Sequence, residues 1–227
     1  LDPAVVPMSA KYLHYVPNET IEGVEFNDDL ISPVPLVADA SSQLLSRPMD
    51  IGAHGIVFAG TQKNLGVAGA TVVIIDRELL GHARSVCPSV LDYTKVAKAH
   101  SLLNTPCTFA AYVLELMLDW VEQRGGAEVM KAESDWKAGL VYDTIDAGDF
   151  YINRVQRRAR STKNIPFTLA DPSLDPVFLE EARQAGLAFL QGHRSVGGMR
   201  ASLYNAMPMA GVKALVDFMT DFERRHG

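Results

Sequence analysis

An α/β fold in two domains is predicted by three features of this 227-residue chain. Short apolar runs alternate with turns through residues 1–126. Several of those runs finish on a polar side chain of chemical interest. Beyond residue 126, stretches with helical spacing alternate with strand-like pieces, the pattern of a small α/β layer domain packed on a larger one. The boundary is expected near 126, leaving 1–126 as a large domain with a mainly parallel mixed sheet and 127–227 as a small C-terminal α/β domain.

Each element has its own signal. Lys11–Tyr15 reads as a strand that opens into the turn residues Pro17–Gly23. Leu36-Val37-Ala38 is a second apolar run, ending on Asp39. The run Gly55–Ala59 delivers Gln62 and Lys63 onto a polar turn flanked by Gly60 and Gly66, and Thr71–Ile75 follows as another strand. Asn104-Thr105-Pro106 opens an apolar helix over 109–121, with the proline expected in its first turn and Gly125-Gly126 as its stop. A helix is predicted over 127–145, strands over 151–155 and 164–169, and an amphipathic helix over 177–190. A strand through Leu203 comes next, then a last helix from Met209 to about Arg224. In that helix Val212, Leu215, Val216, Met219 and Phe222 form a core stripe.

The chemistry centres on Lys63. By itself it reads as a surface lysine on a hairpin loop. Its setting, an amine delivered by an apolar strand, suits a nucleophile that forms a Schiff base with an aldehyde. Asp39 alone could be a helix cap and Thr20 a turn residue. The order of the three matters more, because open α/β sheets bind ligands beyond their strand ends. An acid, a hydroxyl and an amine there match pyridoxal phosphate, which needs a lysine partner and a carboxylate at its ring nitrogen.

Specific motifs extend this reading. Asn18-Glu19-Thr20-Ile21, Ala38-Asp39-Ala40-Ser41-Ser42, Ala59-Gly60-Thr61-Gln62-Lys63-Asn64, Asn104-Thr105-Pro106 and Gly192–Ser202 closely resemble the phosphoserine aminotransferase family. The resemblance runs from about residue 11 to the C-terminus. It implies a fold-type-I pyridoxal phosphate enzyme that transfers the amino group of glutamate to 3-phosphohydroxypyruvate, giving O-phosphoserine. A phosphorylated threonine-like substrate of vitamin B6 synthesis is implied as well. Under the resemblance, Lys63 is the Schiff-base lysine, Asp39 the ring-nitrogen partner, Thr20 the hydroxyl at the phenolic oxygen and Gln62 a phosphate ligand. Asn104 and Thr105 reach the phosphate of the neighbouring subunit's cofactor, which implies a homodimer with shared active sites. Arg200 clamps the substrate α-carboxylate, while His193 and Arg194 read the substrate phosphate. The resemblance also implies that about the first third of a typical family member is absent, cleaved or supplied as a separate chain.

Composition sets the outer bounds. Hydrophobic residues at 48% and charged residues at 21% are those of an ordinary globular protein. A net charge of -6 argues against nonspecific nucleic-acid binding, and no apolar run is long enough to span a bilayer. Arg154, Arg157, Arg158, Arg160 and Lys163 read as a solvated face or rim. Cys87 and Cys107 fit free thiols in a cytoplasmic protein, and the histidines lack metal-ligand spacing, so no metal is expected.

Overall fold

A computed structural model describes residues 6–28 and 30–227. In chain order its strands are β1 (Leu13–Tyr15), β2 (Asn18–Glu19), β3 (Val24–Glu25), β4 (Leu36–Asp39), β5 (His54–Gly60), β6 (Thr71–Ile75), β7 (Tyr151–Ile152), β8 (Asn164–Leu169) and β9 (Met199–Ser202). Its helices are α1 (Tyr93–Lys98), α2 (Thr108–Gln123), α3 (Gly126–Asp146), α4 (Asp175–Gln184) and α5 (Met209–His226). Two units result. The second is Pro17–Asp28, Leu45–Pro48 and Arg124–Gly227, and the first is the remainder of the described residues up to Gln123.

In the first unit, β1, β4, β5 and β6 make a sheet in that order. β1, β4 and β5 run parallel, and β6 returns antiparallel to β5 with Gly60 opposite Thr71. The sheet is therefore mixed and mostly parallel. Ala38, Ala40 and Val57 are buried on it with Leu44 and Met49 packed alongside. Alternation in β4 and β5 places one set of side chains inward and frees the strand ends for polar groups.

The second unit holds the larger core. β8 is the central strand of an antiparallel β7-β8-β9 sheet, and its Ile165, Phe167 and Leu169 face the buried residues of α3, α4 and α5. Phe178 is fully buried at the centre, with ring centroids 5.0 Å from Phe222, 5.1 Å from Phe218 and 5.9 Å from Phe167. Edge-to-face contacts of this kind add to simple burial. Val212, Leu215, Met219 and Phe222 of α5 are buried, as the helical spacing predicts.

Several boundaries differ from the sequence expectation for local reasons. The helix expected to reach residue 190 ends at Gln184, because Gly186 takes a left-handed φ of 83° and Leu187 N–H bonds back to Ala182. β7 stops at Ile152 because Asn153 turns the chain, accepting from Val155 N–H and donating to the Pro166 carbonyl. Thr20 does not end a strand of the parallel sheet. It follows β2, in the turn of the small β2–β3 hairpin, where the Glu19 carboxylate accepts from the N–H groups of Ile21 and Glu22. Gly23 closes that turn with φ 71°, and a Cβ there would lie 2.3 Å from Pro166 Cδ.

Candidate functional site

Parallel strands carry Asp39 and Lys63 to the same edge of their sheet. Asp39 is the last residue of β4 and pairs in register with Phe58 of β5, so the two strands end together. Its Oδ1 accepts from Ser41 N–H at 3.0 Å, while Oδ2 accepts no hydrogen bond among the described residues. Ser41 Oγ in turn accepts from Gly60 N–H at 3.1 Å, tying the turn that follows the acid to the last residue of β5. Beyond β5, Thr61 is buried. It closes the next turn through its N–H to Ala70 O (3.1 Å) and its hydroxyl to Ala70 O (3.2 Å) and Val67 O. Gln62, exposed, and Lys63, half-buried, sit on the turn so formed. The side chain of Gln62 folds back over Gly60, where a Cβ would stand 2.5 Å from its Oε1.

The same turn packs against the start of α2. A Cβ on Gly69 would lie 3.0 Å from Cys107 Sγ, and one on Gly66 would lie 2.9 Å from Val113 Cγ1. Asn104 and Thr105 are exposed in the segment just before α2, with Asn104 Nδ2 donating to Thr105 O at 3.1 Å. The proline is displaced from its expected place. α2 starts at Thr108, and Cys107 O accepts the first helical bond from Ala111 N–H, so Pro106 precedes the helix instead of lying in its first turn.

The second unit brings Thr20 and Arg200 together. Arg200 lies in β9 opposite Pro166, and its Nη1 donates to Thr20 O at 3.4 Å. Its Nε is buried and makes no hydrogen bond among the described residues. A buried guanidinium donor left open in this way suits an anionic ligand. Tyr204, four residues on, shares side-chain hydrogen bonds with Thr20 and Asn164, and burial pushes its phenol up from the usual range. His193 and Arg194 occupy the loop before β9. His193 is half-buried with Nδ1 2.7 Å from Ser195 Oγ, and Arg194 is exposed. Gly192 makes this loop tight, since a Cβ there would collide with Gly197 O at 2.0 Å.

Residue spacing did not reveal the groups that support these elements. Lys163, expected on a solvated face, is 1% exposed and paired with the equally buried Glu25. Arg160 is also committed, forking onto Asp146 at 2.7 and 2.9 Å and lying over the Tyr142 ring. Lys137 is buried and donates to the carbonyls of Tyr204, Asn205 and Met207, fixing the chain after β9; burial holds its ammonium below the usual lysine range. These partners lie from 14 to 138 residues away in sequence, so no local pattern announces the contact.

Residues 3–215 match the family described as aminotransferase class-V. The phosphoserine aminotransferase of Bordetella pertussis is 54% identical over 228 residues, covering 98% of this chain and 60% of that protein. A structure of phosphoserine aminotransferase, studied for radiation damage of its Schiff base, superimposes with a TM-score of 0.94 at 41% identity, covering 97% of this chain and 62% of that one. The PLP-bound phosphoserine aminotransferase of Trichomonas vaginalis gives 0.88 at 41% identity, with 92% and 60% covered. The chain thus spans about 60% of the length of these relatives.

Proposed function

Since this chain belongs to the class-V aminotransferase family, we propose that it forms the greater part of a pyridoxal-phosphate-dependent phosphoserine aminotransferase. One observation carries the reading: an aspartate and a lysine held by adjacent parallel strands at one edge of a sheet. The residues fit the cofactor. Asp39 is oriented through one oxygen by Ser41 and presents the other, as a carboxylate facing a protonated ring nitrogen requires.

When bound, pyridoxal phosphate supplies the electron sink that allows a proton to leave an amino acid's α-carbon. Lys63 would hold the cofactor covalently and, as a free amine, would take and return the proton of the substrate's α-carbon. Asp39 keeps the ring nitrogen protonated. Thr20 donates to the phenolic oxygen, and Gln62 binds the cofactor phosphate. Asn104 and Thr105 serve the phosphate of a neighbouring subunit's cofactor. The exposed Phe109, Tyr112, Leu116 and Leu118 of α2 support such a dimer. Arg200 orients the substrate α-carboxylate as a planar fork, with its open Nε as the support for that role. His193 and Arg194 bind the substrate phosphate.

The reaction we assign moves the amino group of glutamate to 3-phosphohydroxypyruvate in serine synthesis. The same phosphate readers suit 4-phosphohydroxythreonine of pyridoxine synthesis, and the free Cys87 and Cys107 suit a cytoplasmic location. The test is to compare amino acceptors with and without the phosphate, using the whole protein. A strong preference for the phosphorylated acceptor is expected, and it should fall on His193→Ala with Arg194→Ala. Equal rates for both acceptors would defeat the assignment.

A further inference from the structure

Lys137 stands where the helical pattern calls for an apolar residue. Met130, Ser134, Lys137, Ala138, Val141 and Ile145 form the buried face of α3, and Lys137 is 2% exposed among them. A charge so placed is costly unless its donors are used. The ammonium carries three hydrogens, and three carbonyls take them: Tyr204 at 3.1 Å, Met207 at 3.2 Å and Asn205 at 3.3 Å. No carboxylate pairs with it among the described residues, and Glu133, one turn back, is engaged by Arg124. Lys163 differs, since its buried ammonium meets the carboxylate of Glu25.

The counter-charge of Lys137 is therefore a set of backbone dipoles. Three carbonyls from the short segment 204–207 turn their negative ends toward one point. Carbonyls converging in this way repel one another unless a cation lies between them, which is how carbonyl rings hold a desolvated monovalent ion. What the cage holds in place is the exit of β9. That strand lies at the edge of its sheet, so its placement depends on how its ends are tied. Arg200 N–H donates to Leu190 O at 2.7 Å, Leu203 N–H donates to Lys163 O at 2.7 Å, and the carbonyl cage follows at once. Arg200 stands four residues before the first of these carbonyls.

We infer that Lys137 is a positioning residue. Its ammonium is a tethered monovalent cation that closes the 204–207 carbonyl cage, and through that cage it holds β9 where Arg200 can meet a carboxylate. The role of Arg200 rests on the function proposed above, whereas the cage does not.

Both claims are tested in the whole protein. Lys137→Met keeps the stem and removes the charge. The KM for glutamate should rise roughly tenfold with a smaller change in kcat, since an ångström of misplacement can cost about a hundredfold. An unchanged KM would end the positioning role, whatever happens to stability. Lys137→Ala leaves room for a small cation. Methylammonium should lower its KM and raise its urea midpoint saturably, or be required for it to fold. Tetramethylammonium, equally charged but without an N–H, should do none of these. Recovery of neither folding nor KM by methylammonium, or equal recovery by tetramethylammonium, would overturn the cage. An unsubstituted protein without transaminase activity would sink the function proposed above instead, and the urea midpoints would still decide the cage.

Discussion

Replacing Glu25 with glutamine removes one charge from the most buried ion pair of the second unit. Glu25 is 4% exposed; its Oε1 receives the Lys163 ammonium and lies 3.9 Å from Arg47 Nε. Its Oε2 accepts from Thr162 N–H at 2.9 Å and the Thr162 hydroxyl at 3.2 Å. Glutamine is nearly isosteric and can keep the Thr162 bonds through its carbonyl, but its amide then faces an ammonium with no counter-charge. Removing one partner of a buried pair costs about 3–5 kcal/mol. For a chain of this size that lowers Tm by roughly 6–20 °C. Urea unfolding followed by tryptophan fluorescence gives the free energy, with Trp136 of α3 as a reporter in the same unit. Adding Lys163→Met should recover most of the loss, because the stranded charge is gone. A loss under about 1 kcal/mol, or a double variant no better than Glu25→Gln alone, would refute the reasoning. The pH dependence has a definite sign. Burial holds the Lys163 ammonium below its usual pKa, partly opposed by Glu25, so the unfolded chain binds more protons between the lowered value and 10.5. Stability should therefore rise with pH from the lowered value until about pH 10, where the buried Tyr142 and Tyr151 phenols, held protonated by burial, begin to oppose the rise. Lys163→Met should flatten the rise without abolishing it, since Lys137 is shifted the same way.

Other substitutions probe the remaining parts. Phe178→Ala empties the centre of the aromatic cluster and should cost about 3–5 kcal/mol by urea unfolding; a loss under about 1 kcal/mol would place the core elsewhere. Arg200→Lys should raise the KM for glutamate about ten- to hundred-fold in the whole protein with a smaller change in kcat, because an ammonium cannot reproduce the planar fork. An unchanged KM would remove Arg200 from the carboxylate site. Gly192→Ala must displace Gly197 O and with it the loop bearing His193 and Arg194, so the KM for the phosphorylated acceptor should rise while Tm falls little. An equal effect on the glutamate KM would contradict a local role for that loop.

The legible parts of this chain are those that depend on neighbours in sequence. β4, β5 and β6 each announce themselves as apolar runs, and Asp39 and Lys63 are visible because they follow such runs directly. α2 and α5 begin and end within two residues of the sequence expectation for the same reason. The hairpin that carries Thr20 is not legible, because the break between Tyr15 and Asn18 is short and a two-residue strand there leaves no periodic signal. Gly186 could have shortened α4, since it stands where a helix stop belongs. Lys163 and Asn164 were beyond reach. Their partners Glu25 and Asn18 lie 138 and 146 residues away, and nothing near a lysine or an asparagine reports whether it will be buried.

The claim on which the account turns is that Lys63 bonds covalently to the cofactor. Incubation with pyridoxal phosphate, borohydride reduction and peptide mapping test it directly. The added mass is expected on Lys63 and should vanish in Lys63→Ala, with Lys137 and Lys163 unlabelled in their buried pairings. A reduced adduct on another lysine, or labelling undiminished by Lys63→Ala, would contradict the account.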